Sequence, residues 1–352
     1  MTIRFGIIGH GFMGHKHGTM LAQLDGIKVA GICDIREDRL EDVMEGVIRY
    51  ANIDDMLKNP EIDVVLIATN NNQHKELVCK AARAGKDIIC EKPVAVSVAE
   101  LDEMVKTVNE CGVKFTVHHQ RRYDPDFRTV KEIYDQKLLG DVYTIKTSLY
   151  GFNGNMHDWH IFVEEGGGML YDWGVHLLDQ MLWMVDSKIK TVYADLRNVI
   201  NTEVDDYFKI LLRFQNGITA EVELGTYFLS DKENWFERHW IMGGNTGTMY
   251  IDGFEPKGKI VRTTRLLTNV PGKATMTAAG PTRSFGEPAP GILVTEELPK
   301  VQTKHVDYFE NYIRAWHGQE DFLVKIPEVR RVLSLMEAIR KSAITGCNVD
   351  FE

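Results

Sequence analysis

The chain has 352 residues, 44% apolar, 26% charged and 9% aromatic, the balance of a globular protein rather than a disordered or fibrous one. Single cores stop growing near about 250–300 residues, so two domains are expected. A net charge of −10 supplies no field for phosphate backbones or anionic membranes, which argues against nucleic-acid and membrane partners. Met1 runs straight into an apolar segment without a basic leader or cleavage site, and no apolar stretch approaches the roughly 18 residues that cross a bilayer, so a cytoplasmic protein is expected. Five scattered cysteines, without a C-x-x-C pair, read as reduced thiols filling the core.

The first 120 residues alternate short apolar runs with amphipathic ones. Strands are predicted at Ile3–Gly9, Lys28–Asp34, Val64–Thr69, Asp87–Glu91 and Val113–His118, with helices at Met13–Leu24, Arg36–Gly46, Gln73–Ala84 and Val98–Glu110. Gly85 and Gly112 stand where C-cap glycines belong. This is the pattern of a doubly wound parallel sheet, assigned to residues 1–122.

After Tyr123-Asp124-Pro125 comes a helical stretch to Leu139, then alternating segments at Asp141–Tyr150, Val192–Arg197, Tyr207–Phe214 and Ile218–Phe228, with Asn216-Gly217 as a hairpin turn. Residues 123–352 are therefore read as an α+β domain with a large, mostly antiparallel sheet, interrupted by a long helix at about Met169–Val185. Half of the ten prolines fall between Pro271 and Pro299, which marks an irregular loop. Helices at Thr303–Trp316 and Glu328–Thr345 come late enough to pack back on the first domain. One outer face of the sheet must be solvated or covered by a copy, which predicts a homodimer or homotetramer.

Three stretches carry chemistry. Gly9-His10-Gly11-Phe12-Met13-Gly14 is G-x-G-x-x-G between a strand and a helix, where glycines permit a tight turn, approach of a pyrophosphate and close helix packing. Asp34 ends the next strand, where a carboxylate accepts from both ribose hydroxyls; NAD is favoured over NADP, with Arg36 nearby softening the preference. His10, His15 and His17 lie close in sequence, but positions 15 and 17 of a helix diverge by about 200°, so no metal is expected there. Glu91-Lys92-Pro93 follows the fifth strand at the carboxyl edge, where a lysine can donate to a developing alkoxide. In the run from Gly166 to Asp179, a helix from about Met169 would place Asp172 and His176 at i and i+4, with His176 free to take a proton and Asp172 to orient it. Gly174 inside that helix implies a close approach. His157-Asp158-Trp159-His160 would face the same cleft and suits a sugar ring; Asn234-Trp235-Phe236-Glu237-Arg238-His239 is a second such cluster.

In order, G-x-G-x-x-G, Ala68-Thr69-Asn70-Asn71-Asn72-Gln73-His74, Glu91-Lys92-Pro93, Gln120-Arg121-Arg122-Tyr123 and GGG-x-L-x-D-x-G-x-H-x-x-D resemble the Gfo/Idh/MocA oxidoreductases, which include glucose–fructose oxidoreductase and inositol dehydrogenase. The resemblance spans essentially the whole chain. It implies an NAD-dependent enzyme oxidising a secondary alcohol of a sugar, cyclitol or glycoside, with His176 as acid/base assisted by Lys92 and Asp172, and a cis bond before Pro93. Implied cofactor contacts are Gly9, Gly11, Phe12, Met13, Gly14, Asp34, Ile35, Thr69, Asn70, Asn71, His74, Glu91 and Lys92. Candidate substrate contacts are Lys92, Arg122, His157, Trp159, His160, Asp172 and His176. Asn70 stands where the family commonly has proline. Redox-neutral elimination or isomerisation with a recycled cofactor is the alternative chemistry. A non-catalytic regulator is disfavoured because all three catalytic positions are filled.

Overall fold

A computed structural model describes residues 2–152, 156–228, 235–268, 273–284 and 287–352. The first sheet is parallel, in the order β3-β2-β1-β4-β5-β6, from β1 (Ile3–Ile8), β2 (Ile27–Cys33), β3 (Ile48–Tyr50), β4 (Val64–Ile67), β5 (Asp87–Cys90) and β6 (Phe115–Val117). Nearly every residue of β1, β4 and β5 is buried, because helices cover both faces: α1 (Phe12–Leu21), α2 (Ile53–Leu57), α3 (His74–Arg83) and α4 (Val98–Cys111). Ser97 caps α4 by accepting from Glu100 N at 3.3 Å, and Gly112 ends it at φ +67°.

Two local expectations fail here. The helix expected at Arg36–Gly46 is a single 3₁₀ turn, Glu37–Leu40, followed by the short strand β3 and by α2, neither of which the hydrophobic pattern announces. β3 is a three-residue edge strand with only one partly buried side chain, so it carries no alternating apolar signal. Of the cysteines, Cys33, Cys79 and Cys90 are buried as expected, whereas Cys111 and Cys347 are exposed.

The second domain opens with α5 (Pro125–Asp135), whose proline occupies the first turn, where no donor is lost. Its nine-stranded sheet runs β16-β13-β12-β11-β7-β10-β9-β8-β17, using β7 (Val142–Gly151), β8 (Ile189–Arg197), β9 (Tyr207–Phe214), β10 (Thr219–Gly225), β11 (Phe236–Gly244), β12 (Gly247–Asp252), β13 (Lys257–Thr263), β16 (Leu293–Glu296) and β17 (Val349–Asp350). All neighbours are antiparallel except β7 and β10. Gly217, at φ +92°, makes the turn between β9 and β10. The proline-rich stretch is more regular than expected: a separate ribbon of β14 (Lys273–Thr277) and β15 (Gly280–Ser284) is followed by β16 on the sheet edge, while residues 271, 272, 285 and 286 lie outside the described set.

The inner face of this sheet packs on α6 (Val175–Met184) and α8 (Ile326–Thr345). With α7 (Asp307–Trp316), α8 also returns to the first sheet: Tyr308 Oη donates to Val117 O at 3.0 Å, Trp316 Nε1 to Asp87 at 2.8 Å, and Thr116 Oγ1 to Val324 O at 2.9 Å. These contacts brace the second domain's helices against the first sheet.

Candidate active site

The glycine turn at the end of β1 is shaped by space. A Cβ on Gly14 would stand 1.8 Å from Gly9 O, and one on Gly9, at φ +90°, 2.6 Å from Ala68 O. A Cβ on Gly11 would meet only the Arg39 guanidinium, at 3.5 Å, so this glycine leaves room on the open side rather than inside the protein. Asp34 accepts from His10 N at 2.7 Å and from Arg36 N at 2.9 Å, with Arg39 Nη1 3.5 Å away. Phe12 and Ile35 are 82% and 88% exposed beside this turn. Met13 follows Phe12 in the first turn of α1. A turn cleared of side chains, a helix N-terminus, a carboxylate at the adjacent strand end and exposed apolar side chains fit a dinucleotide.

Several other expected cofactor residues also hold the surrounding loops in place. Both His74 nitrogens face carbonyls, Nδ1 to Pro93 O at 2.9 Å and Nε2 to Thr69 O at 3.1 Å, and burial pushes its pKa down. The ring thereby links the loop after β4 to the Lys92-Pro93 turn, whose peptide is cis. Asn70 Nδ2 donates to Glu165 at 2.9 Å, Asn71 Nδ2 to Gly166 O at 2.8 Å and Asn72 Nδ2 to Glu164 O at 3.2 Å. The asparagine run therefore clasps the second domain, which accounts for an amide donor at position 70 in place of proline. Glu91 is buried and turned away from the cleft, toward His17 and His118.

Lys92 reaches from the first domain into the second. Its Nζ donates to the Asp172 carboxylate at 2.8 Å and to the Asp172 carbonyl at 2.9 Å. The helix expected from Met169 begins instead as a π turn, Leu170–Gly174, and becomes α-helical only at Val175. Asp172 lies in the π turn and His176 in the first turn of α6, so their α-helical i,i+4 alignment is replaced by this wider turn. Asp205 holds the turn's start: its carbonyl accepts from Met169 N at 2.8 Å and its carboxyl from Leu170 N at 2.7 Å. Gly168, at φ +105°, passes so close that a Cβ would meet Asp205 Oδ1 at 2.6 Å. Gly174 is explained by packing, since a Cβ there would meet Leu170 at 3.0 Å and Phe208 at 3.3 Å.

His176 is 3% exposed, with Nδ1 buried and unpartnered. Burial, then the charges of Lys92, Arg121 and His119, hold its pKa well below the usual histidine value. It is therefore a neutral imidazole at neutral pH, able to accept a proton. Trp173 lies edge-on to it at 6.0 Å, and His119 at 6.1 Å.

Arg122 is not brought to the cleft. Its guanidinium, fully buried, donates to both oxygens of Asp179 at 2.7 and 2.8 Å, to Glu328 at 2.7 Å and to Leu323 O at 2.9 Å. The neighbouring Arg121, which sequence reasoning passed over, lies over Trp173 at 4.0 Å and close enough to His176 to depress it. His160 has its pKa lowered by burial, with Asp172 and Lys92 among the charges acting on it, and it stacks on Trp159 at 3.7 Å. His157 is exposed and bonded to Asp158 at 2.9 Å. In the second aromatic cluster, Asn234 lies outside the described residues; Arg238 is buried against Asp126 and Gln180, and Phe236 packs on Trp173 at 5.8 Å.

Comparison with known proteins agrees with this layout. Residues 3–119 match the model of an oxidoreductase family with an NAD-binding Rossmann fold, and residues 127–249 match the GFO/IDH/MocA C-terminal domain. The chain belongs to the Gfo/Idh/MocA oxidoreductases. An NAD-binding protein from Listeria innocua has the same fold, with TM-score 0.86 and 33% identity over 100% of this chain and 97% of that one. A myo-inositol 2-dehydrogenase of Thermotoga maritima is 27% identical over 63% of this chain and 68% of its own length. A 2,7-anhydro-N-acetylneuraminate hydratase of Escherichia coli is 27% identical over 73% of this chain and 70% of its own. No described helix is long and apolar enough to cross a membrane.

Proposed function

We propose that this NAD-binding oxidoreductase oxidises a secondary alcohol of a sugar, cyclitol or related polyol. The observation that carries the reading is the meeting of an amine from one domain, Lys92, with a carboxylate and a neutral imidazole from the other, Asp172 and His176, at the carboxyl edge of the parallel sheet. NAD⁺ held on the glycine turn and Asp34 supplies the hydride acceptor. His176 takes the hydroxyl proton, being uncharged and buried. Lys92 donates to the oxygen as negative charge develops on it, and Asp172 holds the ammonium in place from two acceptors, side chain and backbone. Arg121, Trp173 and the stacked Trp159 and His160 are the groups best placed to hold the ring, in place of Arg122.

Purified protein with NAD⁺ and a panel of polyols, sugars and sugar acids should give NADH absorbance with at least one member. His176→Ala and Lys92→Ala should each abolish it. Full turnover in both variants would overturn the assignment.

Similarity to the Escherichia coli hydratase favours a second reading, in which a carbinol is oxidised transiently and the cofactor is regenerated within one turnover. Product formation without accumulating NADH, from protein that retains its dinucleotide through purification, separates the two.

We also infer a homodimer or homotetramer through the outer sheet face. The register sets Tyr193, Leu211, Glu221, Lys146, Ile241 and Tyr250 in one row across six strands, and its four apolar members are exposed. Light scattering at the monomer mass would refute this.

A further inference from the structure

Glu91, next to Lys92 in the chain, is 4% exposed, and both of its carboxylate oxygens are occupied. Oε1 accepts from His17 Nε2 at 2.6 Å and from His118 Nδ1 at 2.8 Å; Oε2 accepts from the Lys92 backbone N–H at 3.0 Å. An ionised carboxylate only accepts, so the two imidazoles carry protons on those nitrogens. Their other nitrogens, His17 Nδ1 and His118 Nε2, are buried without partners, which suits neutral rings. Burial pushes the Glu91 carboxyl up, and the hydrogen bonds from His118 and His17 act against it.

The three residues come from three elements: His17 from α1, Glu91 from the end of β5 and His118 from the end of β6. α7 closes the cluster, with Phe309 stacked on His118 at 5.2 Å and Tyr308 edge-on at 4.6 Å. A buried carboxylate without donors is strongly disfavoured, so this one persists because two imidazoles satisfy it. Held on one oxygen by two rings, it cannot rotate, and its second oxygen is fixed on the amide from which the Lys92 side chain departs.

The same ligand atoms lie within 4.8 Å of one another, as in a metal site. Spacings of 2.6 and 2.8 Å are those of shared protons, whereas ligands about 2.0–2.1 Å from a tetrahedral ion stand roughly 3.3 Å apart.

We propose that Glu91, clamped by His17 and His118, is the positioning residue for Lys92: it locks the backbone from which the amine reaches across to Asp172. This rests on the reading above only in taking Lys92 as the amine at the reacting centre.

The test pairs variants that keep a donor with variants that remove it. An Asn amide stands near a histidine Nδ1 and a Gln amide near Nε2, so His118→Asn and His17→Gln can still donate to Glu91, whereas His118→Phe and His17→Leu cannot. Glu91→Gln replaces the acceptor facing Lys92 N–H with an amide. Reductively ¹³C-methylated protein gives one resonance that vanishes in Lys92→Arg, and this reports the amine without any substrate. Glu91→Gln, His118→Phe and His17→Leu should move that resonance toward the position of exposed lysines, with NADH affinity unchanged within about threefold. The donor-keeping variants should recover at least half of the shift. Where a substrate is turned over, kcat should fall by about a hundredfold in the donor-free variants with little change in KM, the scale of a small misplacement of a reacting group. A Lys92 resonance indifferent to all of these variants, or one equivalent of tightly bound metal in the wild-type protein, would overturn the proposal. So would NADH affinity falling in step with the resonance shift. If no substrate is found and the resonance still responds, the positioning role stands and only the assigned reaction fails. If a donor-free variant fails to fold, the metal assay and the Glu91→Gln resonance decide.

Discussion

Replacing Arg122 with methionine separates a structural role from a substrate role. The guanidinium is fully buried and makes four hydrogen bonds of 2.7–2.9 Å, two of them to Asp179, which is itself 2% exposed. It also lies over Trp183 at 4.9 Å. Arg122→Met fills similar volume but, among the described residues, leaves the Asp179 carboxylate facing only His119, whose Nδ1 is 3.8 Å away. Breaking a buried pair by removing one partner costs about 3–5 kcal/mol. At roughly 2.1 cal/mol/K per residue, the 352-residue chain has an unfolding entropy near 0.7 kcal/mol/K, so Tm should drop by about 4–7 °C. Differential scanning fluorimetry measures this, with NADH titrated in parallel to show that the glycine turn still binds. Adding Asp179→Leu should recover part of the loss, because two apolar residues replace the pair better than one orphaned charge. A Tm within about 1 °C of wild type, together with weakened substrate binding, would refute the reasoning and return Arg122 to the cleft.

Gly11→Ala and Gly14→Ala should differ: the first leaves Tm unchanged and weakens NADH binding at least about tenfold by filling the pyrophosphate side, whereas the second also destabilises the protein, through its 1.8 Å clash with Gly9 O. Fluorescence titration and thermal melts read the two effects. His74, His118, His119 and His176 all have lowered pKa values, mainly by burial, with His118 pushed down to about 4. The unfolded chain therefore binds more protons below about pH 6.5, and stability should fall steadily as pH drops from there toward 4, with His118 alone contributing about 3 kcal/mol. Urea midpoints that stay flat between pH 7 and 5 would contradict this. For the same reason the acid limb of kcat/KM for alcohol oxidation should lie well below pH 6.5, since His176 remains a free base there. An acid-limb inflection at or above 6.5 would show the imidazole is not depressed.

The legible parts of the sequence were those whose physics is local. A turn with no room for Cβ atoms demands glycines at Gly9 and Gly14, and a buried parallel sheet demands continuous apolar runs such as Val64–Ile67. Lys92, Asp172 and His176 stand out as candidates because their motifs sit at element ends, and the structure brings them together. What escaped depends on which way a side chain turns. Arg121 and Arg122 occupy one 3₁₀ turn, yet one faces Trp173 and the other Asp179, and nothing in two adjacent arginines tells them apart. His17 was weighed against His10 and His15, its neighbours in sequence, whereas its partner Glu91 lies 74 residues on. The π turn at Leu170–Gly174 escaped for a different reason: it is set by Asp205 and Phe208, contacts that periodicity does not register.

A crystal structure with NAD⁺ bound tests the central claim most directly. The account predicts the pyrophosphate on the turn from Gly9 to Gly14, a ribose at Asp34, and the nicotinamide ring in the cleft with its reactive carbon within one carbinol group of both Lys92 Nζ and the His176 ring. A nicotinamide ring remote from those two groups, or saturating NAD⁺ that leaves the glycine turn empty, would contradict it.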